Sequence, residues 1–183
     1  MTKIPPPRAL IDFWLKAGEK KWFRKSPAFD KEIARRFGAA LKAACDGQLN
    51  HWRTEPDGCL ALILLFDQFS RNIHRDTAAM FAQDDRARTL ARTAIAKEWD
   101  RAFPPALQQW FYLPFMHSES LADQKRCLQL YRRSKLPKEA QNAAREHAGI
   151  IARFGRFPHR NRVLGRVSSE QEARFLADGG FAG

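Results

Sequence analysis

The sequence has few cysteines and no long hydrophobic run, and both features narrow the class of protein. Its three cysteines, Cys45, Cys59 and Cys127, are far apart and never form a Cys-x-x-Cys pair. This spacing supports neither a disulfide framework nor a zinc ribbon, so we expect reduced and mostly buried thiols. The longest apolar run, Cys59 to Phe66, is far too short to span a membrane.

The opening residues lack the apolar core of a secretory signal. They read Met1-Thr2-Lys3-Ile4-Pro5, with a charge and a proline where a signal peptide would be hydrophobic. We therefore expect the protein in the cytoplasm, with no membrane partner.

The composition excludes intrinsic disorder. Hydrophobic residues make up 44% of the chain and aromatic residues 11%, which is enough apolar surface to offset the entropy of ordering the chain. A length of 183 residues fits one domain with a substantial core. We predict a single domain over residues 1–183.

Acidic residues are scarce relative to basic ones. The chain has 32 Lys and Arg against 20 Asp and Glu, a formal net charge of +12, which raises the question of a polyanionic partner. The basic residues form two clusters, the second in a window from His147 to Ser169 that has no Asp or Glu. The clusters are Lys16, Lys20, Lys21, Arg24 and Lys25, and Arg153, Arg156, Arg160, Arg162 and Arg166. No zinc-finger spacing, RNP-type motif or basic zipper accompanies them, so nucleic acid is a disfavoured partner.

Strand-like alternation is hard to find, whereas apolar residues recur with helical period in nearly every segment. This pattern predicts an all-α fold of about seven or eight helices joined by short loops. The predicted helices run from Pro5-Pro6-Pro7 to about Gly18, from an Asp30 cap to Gly47, from Thr54 or Pro56 through the apolar stretch 60–66, from an Asp84 cap to about Trp99, from Pro105 to about Met116, from about Ser120 to Arg133, from about Lys138 to Phe157, and from a capping box at Ser168 or Ser169 to Gly179.

Two of these helices end in similar polar sequences. The first, which we call the first Arg-Asn segment, is Phe66-Asp67-Gln68-Phe69-Ser70-Arg71-Asn72. It has two aromatic residues three positions apart, followed by an Arg-Asn pair. The second Arg-Asn segment, Phe154-Gly155-Arg156-Phe157-Pro158-His159-Arg160-Asn161, has the same arrangement. A packed helix that ends in such groups holds them rigidly beside a core, which suggests a polar site.

The first Arg-Asn segment allows two interpretations. Asp67 and Arg71 are four residues apart on one helix face and can pair across a turn. One interpretation is a buried ion pair that pins neighbouring helices. The other is that Asp67 orients Arg71 toward a bound anion, since a guanidinium suits carboxylates and phosphates.

Candidate acid-base residues occur in two places. His117-Ser118-Glu119 follows Pro114, which is expected to kink the chain between Leu113 and His117. His147 lies on the apolar stripe of the longest predicted helix, where a histidine is more often an ordinary core residue. We predict His117, Glu119 and His147 as catalytic candidates. A zinc deaminase is excluded because no Pro-Cys-x-x-Cys is present.

The second Arg-Asn segment is expected to leave its helix at Gly155 and Pro158 and to display its polar residues in a loop. The alternative is a helix end where basic residues only complement the dipole. The absence of acidic residues near these arginines in the sequence favours an anionic ligand. The predicted ligand-binding residues are Asp67, Arg71, Asn72, Arg156, His159, Arg160 and Asn161.

Three sequence blocks carry a family resemblance. These blocks resemble the signature blocks of the bacterial domain-of-unknown-function family 924. They are residues 64–72, Tyr112-Leu113-Pro114-Phe115-Met116-His117-Ser118-Glu119, and residues 154–161 followed by Leu164-Gly165-Arg166. The resemblance covers nearly the whole chain. It implies antiparallel helix pairs in a right-handed array like that of tetratricopeptide-repeat (TPR) proteins, and it implies no particular activity.

Three functions remain open at this stage. The favoured one is a polar pocket for a small anionic molecule, with binding or hydrolytic acid-base chemistry unresolved. The alternative is a TPR-like scaffold for a protein or peptide, for which Trp14, Trp22, Trp52 and Trp110 would line an open groove. The third is nucleic-acid binding by the basic clusters. No cofactor and no metal ion is predicted.

Overall fold

The computed structural model describes residues 4–183, and this part of the chain is all α. It contains nine helices, eight of them seven residues or longer, and no strand. The helices are α1 (Pro7–Ala17), α2 (Glu19–Trp22), α3 (Pro27–Cys45), α4 (Pro56–Ile63, continuing through Leu64–Phe69 and Ser70–Ile73), α5 (Asp84–Ala96), α6 (Pro105–Met116), α7 (Leu121–Arg133), α8 (Lys138–Phe154) and α9 (Glu170–Ala177). The predicted fold class is confirmed. The right-handed TPR-like array stays a prediction.

The chain forms two compact units. The first comprises the described residues up to Arg75 together with Ala79–Pro114, and the second comprises Asp76–Ala78 and Phe115–Gly183. Over residues 4–183, no helix has the length and apolar character needed to cross a bilayer. The three cysteines are free thiols, and Cys59 and Cys127 are buried, which raises the pKa of each to about 12.

Helix starts follow their local capping signals, with two corrections to the predicted caps. Ser26 precedes α3 and its Oγ accepts from the backbone N–H of Phe29, so Asp30 lies inside the helix and is not its cap. The helix α5 begins at Asp84, after Gln83, and stops at Ala96, because Glu98 adopts a left-handed conformation with φ 56°. The predicted capping box before α9 is confirmed for Ser169.

The centre of the first unit is α4. Every residue from Gly58 to Ser70 is buried, which confirms the apolar stretch 60–66 as core. The segment Leu64–Phe69 is π-helical, and all six of its side chains are buried. This wider turn, which often marks functional positions, contains most of the first Arg-Asn segment.

In the second unit, α7 and α8 pack together and the chain then turns at Gly155. Gly155 caps α8 in the left-handed region at φ 70°, which agrees with the predicted break at this glycine. The predicted helix end at Phe157 is three residues too late, because the left-handed Gly155 stops the helix at Phe154. Ile150, Ile151 and Phe157 form the buried core of this unit. The helix α6 runs through Pro114 and ends at Met116, so the chain leaves the helix directly before His117.

Candidate functional site

In the first Arg-Asn segment, Arg71 is held between two carboxylates. Its Nη1 lies 3.1 Å from Asp67 Oδ1, while Nη1 and Nη2 donate to the two oxygens of Asp84 at 2.8 and 2.9 Å. Burial alone would lower the pKa of Arg71, but these carboxylates outweigh it and raise that pKa. The predicted pairing of Asp67 with Arg71 is confirmed, and the guanidinium is neutralised by groups of the same unit.

Asn72 is engaged in a second polar contact in the first unit. Its Nδ2 donates to Asp30 Oδ1 at 2.8 Å, and Arg75 donates to both oxygens of the same carboxylate at 2.6 and 2.9 Å. Burial tends to raise the pKa of Asp30, but the hydrogen bonds from Arg75 and Asn72 outweigh it and lower that pKa. These contacts tie α3 to the end of α4 and supply a structural role for Asn72.

In the second unit, Glu119 is bound by the loop that follows α8. Its carboxylate accepts two hydrogen bonds from Arg166, at 2.7 and 2.9 Å, and one from the backbone N–H of Phe157 at 2.9 Å. Burial tends to raise the pKa of Glu119, but these hydrogen bonds outweigh it and lower that pKa. Asn161 completes the network by accepting from Arg166 Nε and donating to Ser168. The network fixes the loop against the turn before α7.

Arg156 is paired in the same way with an acid from α9. Its Nε and Nη2 donate to the two oxygens of Glu172 at 2.6 and 2.8 Å, and Nη2 also donates to the carbonyl of Val167. The hydrogen bond from Arg156 is the main reason that the pKa of Glu172 is lowered to about 2. The sequence suggested arginines without counter-charges, which is wrong for Arg156 and Arg166, because Glu119 and Glu172 reach them from outside the acid-free window.

The histidines of the second unit form an aromatic cluster. The ring of Phe181 lies 4.5 Å from that of His147 and 5.1 Å from that of His159, and Phe157 lies 5.5 and 5.6 Å from the same two rings. His147 is buried, and its Nδ1 donates to the carbonyl of Ala143 at 2.8 Å, which leaves Nε2 with the lone pair of the neutral ring.

Burial is the main cause that lowers the pKa of His147 and of His159 to about 4. His117 and Arg160 add to this lowering for both rings, so these four groups lie within electrostatic reach of one another. The guanidinium of Arg160 is 4.5 Å from the ring centre of Phe157, and its side chain is buried. The structure therefore brings two of the predicted catalytic residues and two of the predicted ligand-binding residues within electrostatic reach of one another.

The buried polar atoms of the second unit that have no hydrogen-bond partner among residues 4–183 include Nδ1 of His159 and Oε1 of Gln124. The amide nitrogen of Gln124 donates to the carbonyls of Met116 and Ser118, on either side of His117. Buried polar atoms are nearly always paired, so such atoms are expected where a ligand or an ordered water binds. Gln124 was not predicted from the sequence, because nothing in its local pattern distinguishes it from a helix-surface glutamine.

A surface groove of about 400 Å³ lies beside α9 in the same unit. Its lining includes the paired side chains Arg156 and Glu172, together with Arg153, whose guanidinium stacks on Phe154 at 4.6 Å. Of the two arginines in this groove, Arg156 is thus neutralised by Glu172, and Arg153 lies over an aromatic ring. We place the candidate site at the imidazole cluster, which we define as His117, His147, His159 and Arg160.

The tryptophans do not form an open groove. Trp14, Trp52 and Trp110 are buried. Trp22 is partly buried, and its ring packs against those of Trp14 and Trp110. An open groove lined by these four tryptophans, which a peptide-binding scaffold would need, is therefore not found.

Comparisons with known proteins agree with the sequence blocks. None of the curated proteins gives a match. A solved structure, titled as a protein of unknown function, ATU0120 from Agrobacterium tumefaciens, is 43% identical with a TM-score of 0.90, covering 94% of this chain and 97% of that one. The model of a family described as bacterial protein of unknown function (DUF924) matches residues 10–180. Because that match spans nearly the whole chain, the protein belongs to the DUF924 family.

Proposed function

We propose that the protein binds a small anionic molecule at the imidazole cluster of the second unit. This proposal narrows the predicted ligand-binding set to His159 and Arg160, which lie in the imidazole cluster. Asp67, Arg71 and Asn72 take a structural role in the first unit. Arg156 and Asn161 position the loop of the second unit through Glu172 and Arg166.

The observation that carries the proposal is the buried, unpartnered Nδ1 of His159 beside a buried arginine. A neutral imidazole has one donor and one acceptor, and a buried site that leaves one of them unused is costly. An anion held by Arg160 would accept a hydrogen bond from a protonated His159 and thereby remove that cost. A phosphate or carboxylate group has the charge and the acceptor oxygens for this arrangement.

The imidazoles supply the acid-base capacity of the site. With pKa values of about 4, His147 and His159 are neutral at pH 7 in the protein described here. A bound anion stabilises the imidazolium form, so binding raises these pKa values and takes up protons. His117 and His147 are then the candidates for general acid or base, while Glu119 holds the loop as a carboxylate.

A thermal-shift and calorimetric test follows from this chemistry. Inorganic phosphate, pyrophosphate and citrate are the probes, each measured at pH 6 and pH 8 in two buffers of different ionisation enthalpy. We expect at least one probe to raise the melting temperature, with tighter binding at the lower pH and a buffer-dependent heat that reports proton uptake.

His159→Gln and Arg160→Gln test the residues, with Arg162→Gln as the matched control. Arg162 is an exposed arginine in the same loop, so its replacement removes the same charge. The proposal requires that the first two variants stay folded and lose the probe-induced shift, while the control keeps it. If none of the probes shifts the wild type, or if the control loses the shift equally, the site is not an anion site of this kind.

A further inference from the structure

A basic and aromatic surface follows α1 in the first unit, and the imidazole cluster does not use it. The segment 16–25 contains five cations and a single acid, Glu19, together with Phe23, which is 67% exposed. We call it the Phe23 patch. Its cations are all exposed, and they are Lys16, Lys20, Lys21, Arg24 and Lys25. Within residues 4–183, Lys16, Lys20 and Arg24 form no ion pair with a carboxylate.

The Phe23 patch is anchored to the buried core by Trp22. The indole N–H of Trp22 donates to the carbonyl of Trp14 at 2.7 Å, and its ring stacks on that of Trp14 with a centroid distance of 6.1 Å. The same ring meets Trp110 edge-on at 4.9 Å. The exposed residues on either side of Trp22 are therefore presented from a fixed base and not from a loose turn.

The ring of Phe23 presents a face to solvent. It lies nearly parallel to Trp110, with an interplanar angle of 20° and a centroid distance of 6.1 Å, and it meets Trp22 edge-on. At this distance the two rings are offset, and two-thirds of Phe23 stays exposed, so the ring extends the aromatic group to solvent. A flat aromatic face that continues an existing stack is a platform for another flat ring.

We propose that the Phe23 patch binds single-stranded nucleic acid, with a nucleobase stacked on Phe23 and the surrounding cations in contact with phosphates. Stacking on exposed aromatics combined with a basic track is the general mode of sequence-tolerant single-strand binding. Charge complementarity alone would also fit an anionic bilayer. Phe23 is nearly parallel to Trp110 and continues a group of aromatic rings, however, so we favour a flat base as the next member of that group.

Fluorescence anisotropy with a labelled oligothymidylate of about 20 nucleotides tests the proposal, since one binding fold covers roughly 4 to 16 nucleotides. The wild-type chain is expected to bind, with affinity falling steeply between about 50 and about 200 mM salt. Replacing Lys20, Lys21 and Arg24 together by Ala should lower the slope of log affinity against log salt by about 2.

The variant Phe23→Ala separates stacking from charge. It should weaken oligothymidylate binding about 5- to 100-fold, while binding to heparin, which has charge but no bases, stays unchanged. The matched charge control replaces Lys125, Arg126 and Arg132, three exposed cations of α7, by Ala and should keep the wild-type slope. Unchanged melting temperatures confirm that each variant is folded, as expected for exposed positions.

Three outcomes would overturn the proposal. The first is a wild type that does not bind the oligonucleotide. The second is a Phe23→Ala variant that binds oligonucleotide as well as wild type does, or that loses heparin and oligonucleotide binding equally. The third is preferential binding to phosphatidylcholine vesicles with about one-fifth phosphatidylserine, which would assign the patch to a membrane surface. None of these outcomes bears on the imidazole cluster.

Discussion

The two Arg-Asn segments have similar sequences and opposite surroundings. In the first, Arg71 lies between the carboxylates of Asp67 and Asp84. In the second, Arg160 stacks on Phe157 and lies within electrostatic reach of two imidazoles, of which His147 is buried and His159 is partly buried. A guanidinium neutralised by two acids stabilises the fold. Arg160 lies instead on an aromatic ring beside two neutral imidazoles, and our proposal assigns it to the binding of an anion. The chemistry of each segment is thus decided by the residues that other parts of the chain bring to it.

The largest expected change in stability comes from a substitution in the first Arg-Asn segment. Asp67→Asn leaves the buried Arg71 with one carboxylate instead of two, and uncompensated buried charge is strongly unfavourable. We expect the free energy of unfolding to fall by about 3 kcal/mol. The measurement is urea unfolding at pH 7, with Asp85→Asn, an exposed carboxylate of α5, as the matched control. A loss below about 1 kcal/mol, equal to that of the control, would mean that Arg71 is not structurally dependent on Asp67.

A somewhat smaller change in stability is expected when the pH is lowered, and it involves the imidazoles beside the second Arg-Asn segment. The pKa values of His147 and His159 are about 4 in the folded protein and about 6.5 when unfolded, so the unfolded chain binds more protons between these values. Their contribution to stability is therefore constant above pH 6.5 and falls as the pH drops toward 4. We expect a loss of roughly 2 to 3 kcal/mol from pH 7 to about pH 5.5 for the two residues together.

The double variant His147→Gln, His159→Gln checks the origin of that acid loss. Glutamine does not titrate, so the stability of the double variant should be nearly flat between pH 7 and pH 5. The comparison with Asp67→Asn is informative, because that variant should keep the acid loss of the wild type. A double variant with the full wild-type pH dependence would place the titration on other groups.

The smallest expected effect concerns the loop that carries the second segment. Glu119→Gln keeps the shape of the side chain but removes the charge that holds Arg166. Because this pair is only partly buried, we expect a loss of about 1 to 2 kcal/mol in the free energy of unfolding. Arg166→Gln should produce a similar loss, and the double variant less than the sum of the two. Fully additive losses would show that the two residues do not act as a pair.

Most of the fold could be predicted from the sequence because helix signals are local. Apolar period, the prolines at helix starts and the glycines at helix ends gave helices close to those observed, including the stop at Gly155 and the capping box at Ser169. The start of α3 was misplaced because two capping signals, at Ser26 and Asp30, lie close together. Only the tertiary contact of Asp30 with Arg75 shows that its carboxylate has another use.

The candidate site could be predicted in part. His147 and His159 were identified from an imidazole on an apolar stripe and an imidazole in a loop after a helix break. The pairing of Glu119 with Arg166 could not be predicted, because the two residues are 47 positions apart and nothing in the local pattern links them. Phe181, which packs on both imidazoles, was missed for the same reason.

The most direct test of the imidazole cluster is a pH titration of the histidine ring resonances by NMR, with and without pyrophosphate. We expect His147 and His159 to titrate near pH 4 without the anion, as a coupled pair, and pyrophosphate to move both titrations toward neutral pH. Titration of both rings near pH 6.5, with no response to pyrophosphate, would contradict this expectation.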